Sequence, residues 1–304
     1  MSLTAPACAA PDLAPRRPRL VLPAGACDCH AHVIGPVARD ALSAQRIYTP
    51  PDCIAADYQA VLAAVGLSRA VLVQPSIYGS DNRLMLDTLR AAGTPHWRGV
   101  AVLAGDESDA DMAALHQAGV RGARVNLVDR ADRQASDKRL PLASLRALAA
   151  RIAPLGWHLE LLAHVDEHGA ELQALGDLPL PLVFGHLGYL SLGRGVGDAG
   201  FVTLLGLLRA GRAWVKLTGP YRLTREALPY PTVNEFAAAL VEAAPQRLLW
   251  GSDWPHVMLR GAMPNDADLV DLLAQWLPDA ALRRQVLVDN PALLYGCLSW
   301  ADEG

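Results

Sequence analysis

Along the chain, eight short apolar runs rich in aliphatic and β-branched residues alternate with longer stretches whose apolar residues recur at helical spacing. The runs are Ala26–His32, Ala70–Pro75, Arg98–Leu103, Gly122–Asn126, Trp157–Leu162, Pro181–His186, Ala213–Thr218 and Arg247–Asp253. Continuous rather than alternating apolarity marks strands buried on both faces. Between them Ala55–Val65, Asn82–Ala92, Asp109–Gln117, Ser144–Ile152, Ala199–Leu208 and Asn234–Ala243 read as helices. Strict strand–helix alternation implies a parallel sheet, and eight units in about 250 residues match a closed barrel better than an open sheet. The expected fold is α/β, a single (β/α)8 TIM barrel over residues 25–300, preceded by an arm over residues 1–24 that is rich in proline and arginine.

In such a barrel the chemistry sits where the strands end. The first run ends in Cys29-His30-Ala31-His32, whose two imidazoles, at i and i+2 of a strand, share a face roughly 6–7 Å apart. The sixth ends in His186 and the eighth in Asp253. Three histidines and an aspartate gathered at one point could hold one zinc-like divalent ion through His30, His32, His186 and Asp253. The same set could work with no metal, Asp253 taking a proton from water while the histidines stabilise a developing oxyanion. Both readings stand at this level.

Composition narrows the field. With 52% hydrophobic and 19% charged residues the chain can bury a sizeable core. A net charge of −4 gives no bulk attraction to nucleic acid or to an anionic membrane, so any positive field must be local to a cleft. No apolar run reaches membrane-spanning length. Five cysteines without C-x-x-C spacing suggest neither a disulfide framework nor a structural zinc site, and fit a cytoplasmic protein. No G-x-S-x-G elbow is present, and Gly193, Gly195 and Gly197 lack the spacing of a phosphate loop. His158, at the start of a strand, reads as structural, and His256 as a residue that orients or lines the site. Strand parity places Asp28 inward with the histidines, and Cys27 and Cys29 toward the helices.

Taken together, Asp28-Cys29-His30-Ala31-His32, Val73-Gln74-Pro75-Ser76, Gly122-Ala123-Arg124-Val125-Asn126, Gly185-His186-Leu187-Gly188 and Trp250-Gly251-Ser252-Asp253-Trp254-Pro255-His256 resemble the amidohydrolase superfamily. The likeness is to the branch of 2-pyrone-4,6-dicarboxylate lactonase and the sugar-acid lactonases. The resemblance implies a cradle for acid groups made by Arg124, Arg130, Arg222, Tyr48 and Ser76. Independently, an arginine on a buried strand, as Arg124 is, costs stability unless paired, and its planar fork suits a carboxylate. Two departures stand out. Leu162 replaces the pocket tyrosine of that branch, and neither a strand-5 metal histidine nor a carboxylated lysine has a clear counterpart, although His164 lies two residues beyond Leu162.

The expected activity is hydrolysis of the lactone ring of a small di- or tricarboxylic or sulfonated acid, by water that Asp253 activates. The alternatives are a metal-dependent aromatic-acid decarboxylase, a sugar-lactone isomerase, and a non-catalytic binder of anions. Oligomeric state is not legible in the sequence.

Overall fold

The computed structural model describes residues 5–93, 96–128 and 140–296. Eight parallel strands lie in sequence order: β1 (Cys27–Ala31), β2 (Arg69–Val73), β3 (Trp97–Ala101), β4 (Val120–Asn126), β5 (His158–Leu162), β6 (Leu182–Phe184), β7 (Ala213–Leu217) and β8 (Leu248–Trp250). Beyond β8 the backbone closes onto β1: Asp253 N–H donates to His30 C=O, and His32 N–H to Trp254 C=O, each at 2.8 Å. This is a (β/α)8 barrel, with all eight strands where the apolar runs predict them, to within a few residues.

Helices α1 (Ala55–Val65), α2 (Arg83–Ala92), α3 (Asp109–Gln117), α4 (Leu142–Ile152), α5 (Gly169–Leu175), α6 (Ala199–Arg209) and α7 (Val233–Ala243) follow the first seven strands. Helix α5, seven residues opening on a glycine, is too short to show a helical repeat and is absent from the sequence reading. After β8 come α8 (Asp266–Asp271), α9 (Leu273–Trp276), α10 (Ala280–Arg284) and α11 (Asn290–Tyr295). Tyr295 caps the barrel at the strand starts: Arg98 donates to its C=O at 3.2 Å, and its ring meets that of His158 at 5.2 Å. The start of the chain runs along α8, Arg19 pairing with Asp271 at 2.9 Å and Asp12 accepting from Asn265 at 2.7 Å.

The lumen differs from expectation at β1. Cys27 and Cys29 pack with Val71, Val73, Val100, Val183, Trp214 and Leu249 inside the barrel, whereas Asp28 points outward and accepts from Tyr58 of α1 at 2.9 Å. Asp28 pairs with Ala70 and Ala31 with Leu72, so β1 carries one residue more than β2 across this step. Such a bulge resets the alternation. His30 and His32 therefore face the lumen together while Asp28, on the other side of the bulge, does not.

Candidate active site

The strands stop abruptly where the polar residues begin. Strand β6 ends at Phe184, and the chain then turns through His186, Leu187 and Tyr189 at φ of 51°, 53° and 49°; beyond β8, Asp253, His256 and Met258 lie at 66°, 59° and 58°. Each non-glycine residue in this left-handed region costs of order 1–2 kcal/mol, and such residues gather where a fold must aim a side chain. Two glycines permit the close packing. A Cβ at Gly251 would stand 2.6 Å from His30 Cβ, and one at Gly219 would stand 2.8 Å from His186 Nδ1 and 3.0 Å from Asp253 Oδ2.

His30, His32, His186 and Asp253 thus meet at the C-terminal end of the barrel, all buried. Asp253 has two distinct oxygens. Oδ2 accepts from Arg222 Nε at 2.8 Å and from the Tyr221 hydroxyl at 2.8 Å, and Arg222 Nη2 stands 2.7 Å from it as an ion pair. Oδ1 accepts no hydrogen bond and lies 3.6 Å from His30 Nε2 and 4.0 Å from His32 Nε2. Burial would raise the pKa of Asp253, but Arg222, with His186 and His32, outweighs it and holds the carboxyl well below the usual range. Burial, chiefly, keeps the histidines neutral, lowering His32 to about 4 and His186 to about 3.

Behind Asp253, Tyr221 accepts from His256 Nδ1 at 2.8 Å, and His256 Nε2 stands 3.3 Å from Asp266 at the start of α8. Below His30, Lys216 of β7 donates to Glu160 of β5 at 2.6 Å and lies 3.3 Å from His30 Nδ1, with His158 Nε2 3.9 Å from Glu160. Burial opposes ionisation of Glu160, yet Lys216, His158 and Arg124 pull it down to about 2. Of these neighbours Tyr221, Glu160, Lys216 and Asp266 carry no role in the sequence reading. Glu160 and Lys216 do leave a signal, since each is a charge two residues from an inward residue, His158 or Trp214, within an otherwise apolar strand.

His32, Tyr48, Ser76, Arg124, Asn126, Leu162, His186, Tyr189, Arg222 and Asp253 line one small pocket of about 20 Å³. It shares Tyr189, Arg222 and Met258 with an outer cleft of about 270 Å³ that also holds His164, Arg225 and Arg260. The structure therefore brings together every candidate residue except Arg130, which lies outside the described residues. Arg124 Nη1 donates to Gln74 C=O at 2.9 Å, and its Nε is buried without a partner. Among the described residues no carboxylate pairs with it. Arg222, by contrast, directs its fork at Asp253 rather than standing open to a substrate acid. His164 belongs to the outer cleft, its Nδ1 2.5 Å from Tyr189 C=O.

For a divalent ion, the positions of His30, His186 and Asp253 are suitable, with one ligand atom from each within 4.8 Å of the others. Protonation is not suitable at His30. A ligating histidine donates its second ring N–H to a carboxylate, a carbonyl or water. His32 meets this condition through Val73 C=O at 2.7 Å, whereas the second nitrogen of His30 faces an ammonium.

A parallel eight-stranded barrel carrying His-x-His after β1, a histidine after β6 and an aspartate after β8 defines an amidohydrolase-type hydrolase. The chain belongs to the amidohydrolase family, whose sequence model matches residues 27–297. It is 38% identical over 302 residues to a 2-pyrone-4,6-dicarboxylate hydrolase of Comamonas testosteroni, covering 95% of this chain and 94% of the relative. It is 35% identical over 301 residues to a 4-sulfomuconolactone hydrolase of Rhizobium radiobacter, covering 96% and 97%. Among solved structures, a putative 2-pyrone-4,6-dicarboxylic acid hydrolase from Pseudomonas putida superposes with a TM-score of 0.77 at 34% identity, over 90% of this chain and 98% of that one.

Proposed function

We propose that the chain hydrolyses the lactone ring of a small anion bearing carboxylate or sulfonate groups. One observation carries this reading: two buried polar atoms with no partner, Asp253 Oδ1 and His30 Nε2, lie 3.6 Å apart beside the pocket of Arg124. That arrangement suits an acceptor for a proton of water next to a donor for a carbonyl oxygen.

In this mechanism Asp253 Oδ1 takes a proton from water as the water oxygen attacks the ring carbonyl. His30 Nε2–H donates to the carbonyl oxygen as it becomes negative, and the ring C–O bond then breaks, the leaving ring oxygen taking the proton back from Asp253, to give an acid and an enol or alcohol. Arg222 and Tyr221 fix Oδ2, so that Oδ1 alone faces the water. Arg124, with Tyr48 and Ser76, whose hydroxyls lie 3.4 Å apart, holds an acid group of the substrate. Arg130 is assigned to the same cradle from the resemblance. Leu162 gives the pocket an apolar wall, so the choice among acidic rings rests on the arginines. No helix among the described residues is long and apolar enough to cross a membrane. The thiols of Cys8, Cys29 and Cys53, which form no disulfide, support a cytoplasmic setting.

The test is the ultraviolet absorbance of 2-pyrone-4,6-dicarboxylate, and of a sulfonated muconolactone beside it, with the purified protein before and after chelator treatment. Ring opening of at least one substrate, unchanged by chelator, is expected. No ring opening of either would overturn the assignment, and loss of turnover on chelation would overturn the metal-free form of it.

A further inference from the structure

Lys216 and Glu160 form an ion pair inside the barrel lumen, beneath the reacting groups, where strand positions are ordinarily apolar. Their side chains are at most 2% exposed. A buried pair of this kind contributes little net stability over well-packed apolar residues. Its place against His30 suggests another use. Lys216 Nζ is 2.6 Å from Glu160 Oε2 and 3.3 Å from His30 Nδ1, and the second contact has the geometry of a hydrogen bond. An ammonium group has three N–H donors and no acceptor. Toward Lys216, then, His30 Nδ1 can only accept, and a neutral imidazole that accepts at Nδ1 carries its proton on Nε2. The opposite arrangement, Nδ1–H donating to Glu160 Oε1 at 3.5 Å, is longer and would set an N–H against the ammonium.

We propose that Lys216 is a positioning residue that sets the tautomer of His30, holding the ring proton on Nε2 beside Asp253 Oδ1. There it serves as donor to the carbonyl, and the lone pair that a metal ion would need is withheld. The two histidines of the His-x-His pair are thereby split: His32, donating from Nδ1 to Val73 C=O at 2.7 Å, presents a bare Nε2, and His30 presents Nε2–H. One accepts from the attacking water's side while the other donates to the carbonyl. Glu160 neutralises the lysine, and without the lysine it would become the acceptor for His30 Nδ1–H, the arrangement found around ligating histidines.

The catalytic use of this tautomer rests on the lactonase reading, but the tautomer itself can be read without substrate. Nitrogen-15 NMR of the full chain labelled at histidine, with His30 assigned by its loss in His30→Gln, is expected to show Nδ1 unprotonated and Nε2 protonated; a protonated Nδ1 overturns the proposal whatever the substrate proves to be. Lys216→Met is expected to reverse the His30 pattern, raise zinc affinity in calorimetry about tenfold to a hundredfold, and lower kcat with KM little changed. Lys216→Arg, whose guanidinium also only donates, is expected to keep the wild-type pattern. A folded Lys216→Met protein with an unchanged His30 spectrum and unchanged zinc affinity would refute the role, and should that variant fail to fold, the wild-type spectrum still decides.

Discussion

Asp28 and Asp253 lie on opposite sides of the seam where the end of β8 closes onto β1, both fully buried, yet their surroundings drive them in opposite directions. Asp28 faces the helices and accepts only from neutral donors: the Tyr58 and Ser252 hydroxyls at 2.9 and 2.5 Å, and the Ser252 and His30 N–H groups at 2.9 and 3.0 Å. Burial dominates and pushes it up to about 6. Asp253 faces the lumen, and Arg222 reverses the effect of the same burial. Depth therefore does not make a carboxylate reactive. The distinction is between four neutral hydrogen bonds, two of them from Ser252 just beyond β8, and one cation that leaves a second oxygen bare.

Removing each carboxylate in turn separates the two roles. Asp253→Asn is expected to lower kcat for lactone hydrolysis by at least about a thousandfold, with the fold retained. Asp28→Asn keeps the size but turns an amide N–H₂ toward existing donors, leaving one or two unsatisfied at about 1–3 kcal/mol each. It is expected to lower the urea midpoint markedly while kcat stays within about tenfold, since each tenfold corresponds to about 1.4 kcal/mol at the transition state. Near-normal turnover in the first variant, or an unchanged midpoint in the second, would erase the distinction.

A smaller effect separates the cation from the carboxylate it holds. Arg222→Met removes the attraction that keeps Asp253 ionised and leaves burial unopposed, so its pKa rises. In the wild-type protein Asp253 is held well below the ordinary carboxylate range, so no acid limb from it is expected in the kcat/KM profile above about pH 4. In the variant that limb should move to higher pH, with a loss of about one to two orders of magnitude at pH 7. An unmoved limb would mean that Arg222 serves the substrate directly, as the sequence resemblance implies.

The same seam explains what could be read in advance. The positions of the eight strands and the meeting of His30, His32, His186 and Asp253 were legible because apolar runs end on polar groups, and barrel geometry alone converges strand ends. The side taken by Asp28 was not, because the extra residue between Asp28 and Ala31 is a matter of pairing with β2 and leaves no trace in the alternation of β1. Nor was the partner of Arg222, since a loop side chain selects its acceptor from residues distant in sequence. Glu160 and Lys216 were visible as charges within apolar strands, but a search confined to strand ends passes over them. The left-handed conformations of Leu187, Tyr189 and Met258 fall on residue types that give no sign of them in the sequence.

Protonation of the whole seam gives the finest comparison, in which the histidines and Asp28 act with opposite sign. His32 and His186 titrate near 4 and 3 in the folded protein, and His30 also lies well below its ordinary value. Below about pH 6.5 the unfolded chain protonates all three while the folded chain does not, so unfolding takes up protons and stability falls as pH falls, by about 1.4 kcal/mol per unit for each histidine. Asp28 works the other way. Its folded value of about 6 exceeds that of an ordinary aspartate, so between about pH 4 and 6 the folded chain holds a proton that the unfolded chain has released, and acidification stabilises. One carboxyl thus offsets one of three histidines over this interval. Stability of wild-type protein, from urea unfolding at pH 7, 6 and 5, should decline toward acid, and in Asp28→Asn, where the offset is gone, the slope below pH 6 should be steeper by about 1.4 kcal/mol per unit. Parallel slopes would show that Asp28 is ionised when folded, and with that the contrast across the seam would be one of hydrogen bonding alone.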